Sequence, residues 1–436
     1  MPSSSRDQIG STAMRDSNKR RVVITGLGVV APPGIGKTAF WHAISEGSSG
    51  ISSLPAASGT AAERIRVAGI VQNFVAADYL DHKTVNRTDR MTHFAFASIQ
   101  EAIADAKLEL ARENPQRVGA VIANTMGGVN YVLQQLQALY IKGPRFMSAF
   151  TAIAWLHVAN VGQTAIRYGI QGYCKTPVND TVGGLDALGM AYTAIQRGAA
   201  DVIIAGGCEA FLNPFILLVL AQQGQYVTTD DPNGYRPFDR RATGLILAEG
   251  AGMCILEEYE HAQQRGATIY GEIIGYGQSN DANGLRAPSA DGTRYAKAIR
   301  QAMQERDVQP EQVVYISADG RAIASSDQGE AHALELALGK HSATIPVSVP
   351  RTTMGHSYAA AGAIDTITTL LALRQRKIPP TINCEEFHPD YGFNLIRERA
   401  YPLPEADRER DEVALIGGRG VGGANVVLAI AASKDE

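Results

Sequence analysis

Short apolar runs, rich in β-branched residues and closed by glycine or a turn former, recur along this chain. They alternate with segments of helical spacing. "RVVITGLGVVAP" (21–32), "VGAVIAN" (118–124), "ADVIIAGG" (200–207) and "QVVYISADG" (312–320) are such runs; "MTHFAFASIQEAIADA" (91–106), "VGGLDALGMAYTAIQRG" (182–198) and "DTITTLLALRQRK" (365–377) are helical. A strand that is apolar on both faces must be covered on both, so the alternation predicts an α/β fold with mainly parallel sheets layered between helices. In the second helix Val182, Leu185, Leu188, Tyr192 and Ile195 form one stripe, and Gly198 follows as a stop signal. "EVALIGGRGVGGANVVLAIAA" (412–432) reads as two strands around a glycine-rich turn. The pattern runs twice. It predicts two duplicated halves, 20–268 and 269–432, behind a disordered polar leader over 1–19.

Composition narrows the function. The chain has 436 residues, 45% hydrophobic and 19% charged, which suits a large buried core rather than a disordered segment. A net charge of −4 with no Lys/Arg-rich block argues against a nucleic-acid partner. Cys174, Cys208, Cys254 and Cys384 are widely spaced, without a CxxC pair or a histidine cluster at metal-ligand spacing. Neither a metal site nor a disulfide framework is indicated, and a reducing cytoplasmic setting fits. The N-terminal segment lacks the apolar stretch of a secretory signal. "FILLVLA" (215–221) is too short to span a membrane and reads as a buried helix segment.

Two glycine motifs invite a nucleotide reading. "GLGVVA" (26–31) follows a strand, but Pro32 and Pro33 block the helix that would aim its amides at a pyrophosphate. "APPGIGKT" (31–38) lacks the first glycine of a phosphate loop and loses two cradling amides to the same prolines. A strand-to-turn connection accounts for both.

"NDTVGGLDALG" (179–189) enters a helix from an extended segment, the position where a helix N-terminus would lower the pKa of a nucleophilic thiol. The residue there is Thr181, whose hydroxyl stays protonated and needs a base. Its plain reading is a helix N-cap, shared with Asn179 and Asp180. Cys174 lies on the extended run before the turn and Cys208 in a strand, so neither replaces it.

The ordered set "VVITGLGVV", "RPFDRRATGLILAEGAG", "YISADG", "RTTMGHSYAAAG" and "GGRGVGGAN" resembles the thiolase-fold β-ketoacyl synthases over nearly the whole chain after the leader. That family joins acyl units by decarboxylative Claisen condensation, with a cysteine, two histidines and a lysine. Carried over position by position, the resemblance puts Thr181 at the cysteine, Asp319 at the first histidine and Arg351 at the lysine. The second histidine is kept as His356. Such replacements oppose catalysis: Thr181 offers no thiolate, and an ionised Asp319 would repel a malonyl carboxylate and its enolate. His356 reads equally as a structural histidine under a glycine-rich turn.

Within the family the chain resembles the chain-length factors of type II polyketide synthases, on "DTVGGLDALG", "SAFTAIAWLHVANVGQTAIRYG" and "GGRGVGG". Two residues depart from their pattern: Thr181, where glutamine is usual, and the retained His356. The resemblance implies a heterodimer with a catalytic ketosynthase, supplied by an acyl carrier protein that bears the phosphopantetheine; the chain itself would need no cofactor or metal. It implies a product tunnel lined from "GGVNYVLQQLQALY" by Val129, Val132 and Leu136, and Val421 at a gate that active synthases fill with phenylalanine. The alternative is a divergent acyltransferase or malonyl decarboxylase using Thr181 and His356.

Overall fold

The computed structural model describes residues 19–54, 65–285, 287–405 and 411–434, so of the expected leader all but Lys19 lies outside the described residues. In the first half the apolar runs become strands β1 (Val22–Ala31), β2 (Val118–Ala123), β3 (Cys174–Lys175), β4 (Val202–Glu209) and β5 (Gly250–Glu258). Helices α1 (Arg90–Asp105), α2 (Val129–Lys142), α3 (Gly183–Gln196) and α4 (Pro214–Ala221) accompany them. The second half holds β6 (Gly271–Asn280), α5 (Thr293–Gln304), β7 (Val313–Ser317), α6 (Ala324–Leu338), β8 (Pro346–Ser348), α7 (Ala361–Gln375), β9 (Asn394–Leu395), β10 (Val413–Arg419) and β11 (Ala424–Ala432).

A twelve-stranded sheet runs β9-β8-β7-β10-β11-β6-β1-β5-β4-β2-β3, with the short strand Gly34–Ile35 folded back on β1. Outward from the centre, the first half reads β1-β5-β4-β2-β3 and the second β6-β11-β10-β7-β8. The two orders are equivalent in chain sequence, as expected of a duplicated unit. Outer pairings in each half are parallel and inner ones antiparallel. The halves join where Val22–Ile24 pair with Gly271–Ile273.

The glycines of "GLGVVA" do not end β1; they lie inside it. A Cβ at Gly26 or Gly28 would be driven into the carbonyl of Ala102 or Ser98, so both glycines let α1 cross directly over the strand. After Pro32 and Pro33 the backbone hairpins, and Lys37 of the near-phosphate-loop pairs with Asp105 and the Tyr270 hydroxyl.

Helices α3 and α7 are buried on almost every face and share one core with strands of both halves. Their contact needs Gly184, where a Cβ would strike the carbonyl of Ala359. Separate cores lie under α1 and under α5 and α6. One sequence expectation is corrected: α4 is only half buried. Leu217 and Leu220 face inward while Phe215 and Val219 stand in solvent, because the helix lies on the surface and its apolar residues encircle it.

Candidate functional site

Thr181 sits on the 3-10 turn Asp180–Val182 that leads into α3, with Asp180 held at φ 45°. A left-handed non-glycine residue costs free energy and persists where the surroundings fix it. Here the Asp180 carboxylate accepts from the Val421 amide at 2.7 Å, tying the turn to the β10–β11 connection. The capping role expected of Thr181 is not what the structure shows. Its side chain caps nothing; the hydroxyl donates to the Arg419 carbonyl at 3.0 Å and accepts from Arg321 Nη1 at 3.3 Å. A hydroxyl that accepts from a guanidinium is a poorer nucleophile, and no base reaches it through these bonds.

Asp319, Arg351 and His356 come together as the resemblance requires, but chiefly to one another. Arg351 Nη1 donates to Asp319 Oδ1 at 2.7 Å, and Arg351 Nε donates to Asp365 at 2.7 Å with Nη2 closing on the same carboxylate. The cluster is buried: Asp319, Arg351 and Asp365 are each 1% exposed and His356 is 0%. Burial pushes the Asp319 carboxyl up, but His356, Arg351 and Arg321 together overcome it and hold the group well below the usual carboxylate range. Burial, reinforced by the charge on Arg351, pushes His356 down to about 4, so the ring is neutral. A neutral imidazole has one acceptor nitrogen. Two donors compete for it, the Tyr358 amide on Nδ1 at 3.1 Å and Arg351 on Nε2 at 2.9 Å. The ring therefore has no spare acceptor with which to serve as a base.

Two arginines of this centre were not singled out in the sequence: Arg419 lies inside the quoted "GGRGVGGAN", and Arg321 one residue past the quoted "YISADG". Arg321, two places after Asp319, lies 1% exposed between Thr181 and the Arg419 carbonyl, to which it donates at 2.6 Å. Arg419 is itself buried, donating to the carbonyls of Ser326 and Ser289 at 2.8 and 2.7 Å. Both were legible as arginines within or beside otherwise small, apolar motifs, a composition that forces a charge into the core. The cysteines offer no substitute nucleophile: Cys174 is half-buried in β3, and burial pushes the thiol of Cys208 well up.

Val129, Val132 and Leu136 lie half-buried along α2, with Val129 packed against the apolar cluster that holds Phe211 and Tyr358. The opposite face of α2, at Asn130, Tyr131, Gln134 and Gln135, borders a cavity of about 650 Å³. Val421 is half-buried beside Asp180, on the glycine turn.

Comparison with known proteins agrees with this geometry. The N-terminal domain of β-ketoacyl synthases matches residues 19–262 and the C-terminal domain residues 270–385. The 3-oxoacyl-[acyl-carrier-protein] synthase 2 of Synechocystis is 35% identical over 95% of this chain and 99% of its own. The tetracenomycin polyketide synthase ketoacyl synthase beta subunit of Streptomyces glaucescens is 35% identical over 94% of this chain and 98% of its own. Among solved structures, a type II PKS acyl-carrier protein in complex with its ketosynthase bound to the hexaketide gives a TM-score of 0.86 at 30% identity, covering 95% of this chain and 100% of that one. The ishigamide ketosynthase/chain length factor gives 0.86 at 26% identity, with the same coverage. With both domains matched in order and relatives aligned end to end, this chain belongs to the β-ketoacyl synthase family.

Proposed function

We propose that this chain is a non-catalytic chain-length factor that pairs with a catalytic ketosynthase and shapes the tunnel of the growing polyketide. The observation that carries this reading is the mutual pairing of Asp319, Arg351, Asp365 and His356 beside a threonine, which leaves no thiolate, no free imidazole base and no lysine for condensation; of the centre's cations, Arg321 keeps Nε and Nη2 without a hydrogen-bond partner among the described residues. A second feature supports pairing. Of the fifteen large apolar side chains exposed among the described residues, nine lie between Tyr140 and Val178. The segment that carries them includes β3, the strand that ends the sheet, and a sheet edge within a segment of exposed apolar side chains calls for a partner. In this role an acyl carrier protein presents the extender to the partner's cysteine, and Val129, Val132 and Leu136 limit the length attained. Val421, lacking the bulk of a phenylalanine, leaves the gate position open.

The competing acyltransferase or decarboxylase reading draws on the 35% identity to a 3-oxoacyl-[acyl-carrier-protein] synthase. It requires a base for Thr181, and His356 has no lone pair to offer. To test the proposal, the purified chain is incubated with malonyl-loaded carrier protein, alone and with a cysteine-bearing ketosynthase. Alone it should release no carbon dioxide above background and carry no acyl adduct; with the partner, condensation should appear. A stable acyl adduct on any residue of this chain would sink the proposal.

A further inference from the structure

The loop Asn124–Gly128 joins β2 to α2, and three parts of the molecule converge on it. Its Thr125 hydroxyl donates to the Asp180 carbonyl at 3.1 Å, next to Thr181. Asn124 Nδ2 donates to the His157 carbonyl at 2.8 Å, His157 Nε2 contacts the Thr125 carbonyl at 2.9 Å, and the Gly128 amide donates to the Trp155 carbonyl at 3.2 Å. Those bonds tie the loop to the exposed apolar segment. Gly127, at φ 60°, has no room for a Cβ against Trp155.

Two buried carboxylates grip this loop and the helix start. Glu209, at the end of β4, accepts from the Thr125 amide at 2.7 Å and the Met126 amide at 3.2 Å. Asp89 accepts from the Met91 amide at 2.9 Å, which caps α1, and from the Tyr131 amide at 2.7 Å, in the first turn of α2. Glu209 is 0% exposed and Asp89 is 2%. Taking a carboxylate out of water is costly unless its acceptors are used. What both grip is backbone, on either side of Val129, the first residue of α2.

We propose that Glu209 and Asp89 are positioning residues for chain length: together they fix the seat of α2, and with it Val129, Val132 and Leu136, against the sheet and the apolar face. The inference rests on the tunnel reading of the preceding section. Neither carboxylate touches substrate in this role. Loosening either should let the helix start shift, so that the wall no longer stops the chain at one length.

Two variants separate the clamp from plain folding. Glu209→Gln keeps the shape but turns an amide N–H toward one of the two loop amides. Asp89→Ser keeps an N-cap oxygen for α1 but is too short to reach Tyr131. Hydrogen exchange is measured on the folded chain, and product profiles on the reconstituted ketosynthase complex. Exchange should accelerate about tenfold or more at Thr125 and Met126 in the first variant and at Tyr131 in the second, the loss of about one hydrogen bond. The complex should then turn over near its normal total rate but replace one dominant product by neighbours differing in two-carbon units.

Unchanged exchange at these amides overturns the clamp. Accelerated exchange with an unchanged product profile overturns the length claim, provided Val129→Phe in the same assay does shift the profile. If Val129→Phe shifts nothing either, the tunnel reading itself falls and takes the length claim with it. A uniform loss of all products assigns both residues a structural role alone and also overturns the proposal.

Discussion

The buried centre around Arg351 and the exposed face from Tyr140 to Val178 are opposites in chemistry. In the centre the principal ionic groups are spent on each other: two carboxylates on one guanidinium, a neutral imidazole between donors, a threonine hydroxyl on a carbonyl. On the face, side chains that folding normally hides are left out, with Tyr140 83% exposed, Ile141 71% and Trp155 50%. A catalytic centre is expected to hold unspent groups, and a self-sufficient surface is expected to hide its large apolar ones. Here the larger unspent capacity lies on the surface; in the centre it is confined to Arg321 Nε and Nη2 and to Asp319 Oδ2, which have no hydrogen-bond partner among the described residues. The contrast is what a partner subunit would require: rigid where its relatives react, incomplete where it would be covered.

The largest expected effect lies in the centre. Arg351→Ala leaves Asp319 and Asp365 buried without their shared counter-charge. Removing one member of a buried ionic group typically costs about 3–5 kcal/mol, and denaturant unfolding of the isolated chain should show a loss of that order. A change below about 1 kcal/mol, the range of an exposed pair, would mean the centre is wetter and looser than described and would erase the contrast.

Next is the face. Trp155→Asp, combined with Ile153→Asp, should leave the fold and its unfolding midpoint nearly intact, because both side chains already stand half in water. Association with a ketosynthase should weaken by about 100-fold or more, since buried aromatic anchors dominate interface energetics. Binding measured by titration calorimetry or analytical ultracentrifugation decides it. Unchanged affinity would assign the face to some other contact.

Acidity probes the centre's surroundings and leaves the face alone. Asp327 accepts from the Phe238 amide at 2.7 Å, and burial pushes its carboxyl up to about 8 from an ordinary 3.8. A carboxyl raised on folding holds its proton better in the folded state. Its contribution to stability is therefore fully present below 3.8 and lost as pH rises through about 8. Asp327→Asn, which keeps an acceptor for Phe238, removes that dependence. Unfolding curves at several pH values should show the variant gaining on the wild type as pH rises across this window; parallel curves would show that Asp327 is not held protonated.

How much of this was legible beforehand differs between the two regions. The strands and the two central helices were readable because both-face burial leaves continuous apolar runs, and Leu185, Leu188 and Tyr192 of the α3 stripe are indeed buried. The extent of β1 was misjudged because glycine inside a strand looks like an ending until the crossing helix is seen. In the centre, the replaced positions could be read off the motifs. Their pairing could not: Asp365 lies in a helical segment fourteen residues from Arg351, and nothing in its local sequence marks it as a counter-ion. Arg321 was in plain view in "ADGRAIA". Its setting is the signal, because a guanidinium among small apolar residues is carried into the core with them, where Arg321 is 1% exposed. The face was the least legible, because an apolar stripe on a helix looks the same whether the fold or a partner covers it.

The smallest effect is expected at the residue with which a catalytic reading would begin. Thr181→Val removes a hydroxyl that donates to Arg419 and accepts from Arg321. Arg321 keeps its stronger bond to the same carbonyl at 2.6 Å, so little is left unpaired. The loss should be near the net worth of one neutral hydrogen bond, about 1 kcal/mol, and the reconstituted complex should extend chains as before. Thr181→Cys should be equally quiet. The helix start would favour a thiolate, but the centre would still present Asp319 to any developing enolate. Losing one oxyanion donor alone costs about 10²–10³ in rate, and here an anion stands in its place. Radiolabelled malonyl transfer and product profiling of the two variants, each with and without partner, separate the readings. If Thr181→Val abolishes an acyl adduct, or Thr181→Cys alone supports chain extension, the centre is not spent, and the contrast between an inert interior and an incomplete surface fails at its first residue.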